Sequence, residues 1–340
     1  MNKKFQNNKA PIVYVIILSY NGLNWLENCI ESVLNSDYSN FKIIYVDNAS
    51  KDESVDFIRM HYPGVEVLAN RKNLGFTGGM NTGIRHALAA EADYVFLLNE
   101  DTYLDAGCLR ELMAVAQAHE KLGLLAPVQF RYGSPELHKV FQRWLKNHLG
   151  VEAQTRLNEP GPDYYEVPDA SGAAMLISLK ALKIVGLLDA QYFIYFEETD
   201  LCRRLRFHGF KIGLCPTAHF WHAEELAVPW KSMLLGRSHL IYTLKDPFHP
   251  PGLNVFRALD ILIRNLCISA VHFDISNLSF MMQSCGELAR HFGEILTRRR
   301  AEMVGFADSR TWWRYETDKG GEARGEAALR KMQALLDRGR

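Results

Sequence analysis

Four short apolar runs recur in the first hundred residues, each closed by polar residues and separated from the next by a helical or glycine-rich stretch. Residues 12–18 (IVYVIIL) form an unbroken β-branched run that ends at Ser19-Tyr20-Asn21-Gly22. Residues 41–46 (FKIIYV) end at Asp47-Asn48-Ala49-Ser50, residues 65–68 (VEVL) form a third run, and residues 94–98 (YVFLL) end at Asn99-Glu100-Asp101-Thr102. Apolar runs of this length are strands buried on both faces, and strands alternating with helices form parallel sheets with crossover helices. Helical spacing appears over 23–34, with Leu23, Leu26, Ile30, Val33 and Leu34 on one face, and again over 53–61. The order is β-α-β-α-β-α-β, so the polar strand ends should share one edge, where ligands of open α/β sheets bind.

Composition narrows the function classes. The chain has 340 residues, 48% hydrophobic and 23% charged, enough for one large domain or two smaller ones. Lysine plus arginine equals aspartate plus glutamate at 39 each, so no global basic field argues for nucleic acid as a partner. Cysteines 29, 108, 202, 215, 267 and 285 lack C-x-x-C spacing, which fits a reducing cytoplasm and neither a disulfide framework nor a zinc site. Residues 1–11 lack the apolar core of a signal peptide, and no run reaches 18 uninterrupted apolar residues.

Several groups carry chemistry. A carboxylate at a strand end, such as Asp101, can hold Mg²⁺ or Mn²⁺ against a diphosphate, because these hard cations take oxygen ligands. Residues 99–102 taken by themselves also suit a turn or helix cap. Asp47 can accept from a base N–H or a ribose hydroxyl, or simply occupy a turn. Residues 73–83 hold four glycines in eleven positions and read as a loop whose end enters a helix near Ile84; glycine permits close backbone approach to a ligand. The loop is neither a Walker A motif nor a dinucleotide fingerprint. Glu197, Glu198 and Asp200 place three carboxylates within four positions behind an aromatic run. Crowding and partial burial would raise one pKa and make a general base; a solvated helix N-terminus is the alternative. His222 follows Trp221 and becomes an additional cation ligand if it joins Asp101.

These segments, in this order, resemble glycosyltransferase family 2, with the GT-A fold, and within it a rhamnosyltransferase-like bacterial branch. The matching stretches are 15–21, 46–50, 73–83, 97–102, 171–176, 195–201 and 221–222. The resemblance implies a Rossmann-like, mostly parallel α/β sheet over residues 11–245, with a nucleotide half (11–128) and an acceptor half (129–245). By that resemblance Ser19, Tyr20, Asn21, Asp47, Asn73, Gly75, Gly78, Gly79, Asn99 and Asp101 would bind the nucleotide and donor. Gly172, Ala173 and Trp221 would line the sugar or acceptor pocket, and Asp101 with His222 would hold Mg²⁺ or Mn²⁺. Glu198 would serve as base, with Glu197 and Asp200 as secondary candidates. The family's acidic motif reads Asn-Glu-Asp here, and the usual aspartate at the base position is Glu198; Glu100 is expected to face solvent.

The implied reaction is an inverting, metal-dependent sugar transfer from a nucleotide diphosphate sugar, dTDP-rhamnose being the branch's common donor. The acceptor would be a saccharide or lipid-linked glycan of the cell envelope. A non-catalytic nucleotide-sugar binding protein of the same fold is the alternative. Residues 252–300 read as a helical extension. Val255, Phe256, Leu259, Ile263, Leu266 and Val271 form an apolar face; Arg257, Asp260 and Arg264 form a polar stripe. That face suits either a peripheral contact with the inner leaflet of the cytoplasmic membrane or packing on the catalytic domain or on a second copy in a homodimer. Removal of 252–340 is expected to leave donor chemistry intact. Residues 301–340 form a charged helical tail, expected to be solvated.

Overall fold

The computed structural model describes residues 10–157, 159–223, 231–271, 286 and 288–304. The first half runs β1 (Val13–Ser19), α1 (Leu23–Leu34), β2 (Phe41–Asp47), α2 (Ser54–His61), β3 (Glu66–Ala69), α3 (Gly75–Ala89), β4 (Tyr94–Asn99), β5 (Thr102–Leu104), α4 (Cys108–Ala118) and β6 (Leu122–Arg131). The second half adds α5 (Lys139–Leu149), α6 (Ala153–Leu157), β7 (Tyr165–Glu166), β8 (Ala174–Ser178), α7 (Leu179–Val185), α8 (Glu197–Phe207) and β9 (Lys211–His222). Three longer helices follow: α9 (Lys231–Leu244), α10 (Pro251–Val271) and α11 (Phe292–Val304).

Among the described residues one sheet has the order β3-β2-β1-β4-β8-β6-β9-β5, with β7 paired to β9. β3, β2, β1 and β4 are mutually parallel, as the apolar runs require. All seven residues of β1 are buried, because alternate side chains enter cores on opposite faces. Tyr14, Ile16 and Leu18 pack toward α3, α7 and α8; Val13, Val15 and Ile17 pack toward α1 and α4.

The parallel order breaks at β8, which is antiparallel to both β4 and β6. This places the start of β8, at Ala174, beside Leu98 near the carboxyl end of β4. Residues 171–173 therefore join the functional edge. β9 continues past Pro216: its pairing with β6 jumps from Pro127–Cys215 to Val128–His219 and continues to His222. That irregularity carries His222 to the same edge.

The glycine-rich stretch is a helix, not a loop. Gly75 alone has a positive φ, at 73°, and α3 starts there. A Cβ on Gly79 would sit 2.4 Å from Leu18 Cδ1, and one on Gly83 would sit 2.5 Å from Ile16 Cγ2. These glycines let α3 lie close against β1, and that contact outweighs the cost of glycine in a helix.

The helices after residue 250 pack onto the preceding ones. Leu240 and Leu244 of α9, Ala258 of α10 and Ile295 of α11 form a third core, joined by Val255 and Leu266. The expected apolar face of α10 is thus divided: Val255 and Leu266 turn inward, while Phe256, Leu259 and Ile263 are exposed. Val271's side chain and residues 305–340 lie outside the described residues. No helix among the described residues is long and apolar enough to cross a membrane.

Candidate active site

Asp101 and His222 meet through the pairing of β5 with β9. Thr102 lies opposite His222, and the Ala223 amide donates to the Asp101 carbonyl at 3.1 Å. The Nε2 of His222 is 3.1 Å from Oδ1 of Asp101, an oxygen sealed from solvent that makes no hydrogen bond. Two ligand atoms at adjacent vertices of an octahedron of radius about 2.1 Å are separated by about 3.0 Å. Both the donor types and their spacing therefore fit a divalent cation. His222 Nδ1 lies 2.9 Å from Nε2 of Gln129, whose N–H donates to it. Rotating that amide by 180° would set its oxygen on a protonated Nδ1 and free Nε2 to ligate, the arrangement that orients metal-binding histidines.

The rest of the acidic motif is built into the sheet edge. The Asn99 amide donates to the Ala173 carbonyl at 3.0 Å, and the Asn99 carbonyl accepts from Thr102 Oγ1 at 2.7 Å. Glu100 does not face solvent as expected. Its Oε1 accepts from the Tyr20 amide at 3.3 Å, and its carboxyl is pushed up to about 8, chiefly by burial and then by the Asp101 charge. A Cβ on Gly22 would lie 2.7 Å from Glu100 Cγ and 2.4 Å from Ser19 Oγ, so only glycine admits this inward turn. Ser19 is buried and its hydroxyl makes no hydrogen bond.

On the nucleotide side, Asp47 is buried, with Oδ2 accepting from the Ser50 amide at 3.1 Å and Oδ1 facing the Tyr45 hydroxyl at 3.4 Å. It thus closes the turn after β2. Asn21, at φ 57°, accepts from the Lys51 amide at 2.8 Å and so ties this turn to the one after β1. Asn73 Oδ1 accepts from the Gly75 amide at 2.8 Å and from Asn48 Nδ2 at 2.9 Å. Asn48 is the hub here. Its Nδ2 also donates to the Gly75 carbonyl at 2.9 Å, and its Oδ1 accepts from the Leu74 amide at 2.9 Å. Gly78 and Gly79 are packing residues: Cβ atoms there would strike Leu74 and Leu18.

The three acids of α8 have three different fates. Tyr195 and Phe196 precede the helix with φ of 71° and 70°, strained values for bulky residues. Glu197 is buried, its Oε2 makes no hydrogen bond, and burial together with the Glu198 charge pushes its carboxyl well above the usual range. Glu198 is only partly buried. Its carboxyl is raised to about 7, mainly by burial, with the nearby Asp169 charge adding to the shift. A Cβ on Gly172 would lie 3.7 Å from Glu198 Cγ, in ordinary contact, so the backbone at Gly172 runs alongside this side chain.

Asp200 is not placed to act as a base. It is fully buried, bonded to Arg203 at 2.7 Å and Arg204 at 2.8 Å, and those cations hold its carboxyl well below the usual range against the cost of burial. Trp221 is also displaced from its expected role. Strand alternation turns it to the face opposite His222, where its indole donates to the Ser134 carbonyl at 3.0 Å and its ring packs on Tyr103 and Phe130. Gln129 and Asp169 carry no signal in the sequence, while Glu100 and Asn48 stand at strand ends without a role being legible there.

Comparison with known proteins agrees with this architecture. The sequence profile described as Glycosyl transferase family 2 matches residues 14–185, half of the chain. The galactofuranosyltransferase GlfT1 of Mycolicibacterium smegmatis is 26% identical over 239 residues, covering 68% of this chain and 78% of that protein. The rhamnosyltransferase WbbL of Escherichia coli is 26% identical over 224 residues, covering 62% and 83%. Among solved structures, the mannosyltransferase PcManGT of Pyrobaculum calidifontis, in complex with GDP-Man and Mn²⁺, superposes with a TM-score of 0.53 at 16% identity, covering 95% of this chain and 87% of that one. TarS 1–349 of S. aureus with UDP-GlcNAc gives 0.53 at 12% identity, covering 86% and 88%. The family match covers half of the chain and the structural likeness most of its length: this chain belongs to glycosyl transferase family 2 and has the GT-A fold of a glycosyltransferase enzyme.

Proposed function

We propose that the enzyme transfers a sugar from a nucleotide diphosphate sugar to a saccharide or lipid-linked acceptor in cell-envelope glycan synthesis, with inversion. The observation that carries this reading is the bridge formed by Gly172 and Ala173. Ala173 bonds the backbone of the acidic motif at Asn99, while Gly172 packs against Glu198. A two-residue span thus joins the diphosphate end of the site to a carboxylate with a pKa near neutrality.

Asp101 and His222 are the residues that would hold Mg²⁺ or Mn²⁺, which when bound offsets the charge building on the leaving diphosphate. Glu198 takes the proton of the acceptor hydroxyl as that oxygen attacks; a base with a pKa of about 7 is half ionised near neutral pH and still accepts protons well. Burial and then the Glu198 charge push the Glu197 carboxyl well above the usual range, which disfavours a second negative charge beside Glu198. Asn48 and Asn73 fix the start of α3, and the turns after β1 and β2 border the nucleotide. The rhamnosyltransferases among the relatives make dTDP-rhamnose the first donor to try.

The test is nucleoside diphosphate release by the purified full-length protein across a panel of nucleotide sugars, with Mg²⁺ or Mn²⁺ and with or without glycan acceptors. Acceptor-stimulated release that chelation abolishes is the expected result. Tight binding without release from any donor would identify a nucleotide-sugar binding protein instead.

A further inference from the structure

A buried charge cluster lies behind the base-bearing helix and is not used by the mechanism above. Lys245 is fully buried; its ammonium donates to Asp189 and, at 2.5 Å, to Glu302 of α11, and it lies 3.9 Å from Asp200 of α8. The carboxylates of Asp189, Asp200 and Glu302 come within 4.8 Å of one another, with the ammonium and three guanidinium groups balancing them. Arg298 of α11 reaches Asp189 at 2.9 Å. Arg204 of α8 holds Asp200 and the carbonyls of Val185 and Leu187 at 2.7 and 2.8 Å. The cations already fill this cluster, so it is not a metal site.

Its geometry brackets α8. Glu302 reaches the Asp200 end through Lys245, and its backbone carbonyl lies 2.6 Å from Nε2 of His208, the residue that caps the other end. Asp189 belongs to the connection between α7 and α8. That connection also ties to α3 through the Thr77 amide and the Phe193 carbonyl at 3.4 Å, and to α9 through Arg237 and the Gln191 carbonyl at 3.0 Å. It ends in the strained pair Tyr195-Phe196, immediately before Glu197 and Glu198. Strained backbone of this kind persists only where the surroundings over-determine it. The cluster supplies that constraint, and Lys245, Arg298 and Glu302 bring part of it from the chain beyond residue 244.

We infer that Glu302 is a positioning residue for sugar transfer: with Lys245 and Asp189 it clasps α11 to α8 and thereby fixes Glu198 against Gly172. This rests on the reading of Glu198 as the base. It also overturns the expectation that residues 252–340 can be removed without loss to the donor chemistry, because truncation would leave Lys245 and Asp189 buried without two of their partners.

The test uses full-length protein carrying Glu302→Gln, and Glu302→Asp, which keeps the charge but withdraws it by one methylene, if the first variant folds poorly. In each, kcat for transfer should fall about tenfold, since a small misplacement of a catalytic group costs at least this much, while KM for the nucleotide sugar stays within about twofold. Hydrogen–deuterium exchange over residues 197–204 should quicken about tenfold as α8 loosens. Lys245→Arg, which keeps the charge, should retain most of the turnover. Unchanged kcat in a folded variant, or unchanged exchange across α8, would overturn the inference. Full turnover by Glu198→Gln would remove the base assignment instead, a result separate from the exchange readout at Glu302.

Discussion

His222 Nε2 stands 3.1 Å from Asp101 Oδ1, although 120 positions of sequence separate the two residues. The pairing of β5 with β9 alone accounts for the meeting, and Gln129 holds the far side of the imidazole. Removing either ligand should weaken cation binding, and removing the Gln129 amide should do so less severely. Calorimetric titration with Mn²⁺ in the presence of nucleoside diphosphate should show binding abolished in Asp101→Ala and His222→Ala. Gln129→Leu should weaken it by roughly 10–100-fold, the usual cost of losing a group that orients a ligand. Wild-type Mn²⁺ affinity in His222→Ala would exclude the histidine as a ligand.

Glu198→Gln should lower kcat by roughly 10²–10⁴-fold while donor affinity stays near the wild-type value. The wild-type rate should rise with pH through about 7, where the Glu198 carboxyl ionises. A pH–rate profile of the two proteins checks both points, since the acid limb should be missing from the residual activity of the variant.

The same group makes a stability prediction with a definite sign. Burial raises the Glu198 carboxyl from 4.5 to about 7, so between those values the folded protein retains a proton that the unfolded chain has lost. That contribution is complete below about pH 4.5 and is lost as pH rises through about 7. Glu198→Gln should therefore melt at the same temperature as wild type at pH 4 and about 2 °C higher at pH 8. Calorimetric scans at the two pH values measure the difference, and a variant less stable at pH 8 would contradict the sign.

Asp200→Asn should act on folding rather than on chemistry. It leaves Arg203 and Arg204 buried without their carboxylate, a change that costs roughly 3–5 kcal/mol. Urea unfolding should show the midpoint falling sharply, while kcat per folded molecule drops far less than in Glu198→Gln.

Gly79→Ala should destabilise by about 1–3 kcal/mol, because the new methyl would lie 2.4 Å from Leu18 Cδ1 in a filled core. Gly252→Ala on α10 meets nothing within 4 Å and should stabilise by about 0.5–1 kcal/mol. The two urea midpoints should move in opposite directions.

The first four strands and their helices were legible because apolar periodicity is a local property. The boundaries of α1 follow directly from its spacing. β6 and α4 escaped notice: β6 carries Gly123 and Pro127 inside it, and α4 follows a short polar turn without a distinctive cap. The glycines of α3 were misread as a ligand loop because their purpose, contact with Leu18 and Ile16, lies across the sheet. Glu197, Glu198 and Asp200 look alike in sequence, yet one is pushed well above the usual range by burial, one is poised near pH 7 and one is locked between two arginines.

By itself the sequence determined the alternating α/β order, the placement of Asp47 and Asp101 at strand ends, and the grouping of three acids behind an aromatic run. Short-range periodicity and turn chemistry are sufficient for that. The tertiary structure alone decided that β8 runs antiparallel and carries Gly172 to Glu198, that β9 continues past Pro216 to deliver His222, and that α11 returns to clasp α8. Those outcomes depend on which distant surfaces bury one another, and the same burial sets the proton affinity of each carboxylate.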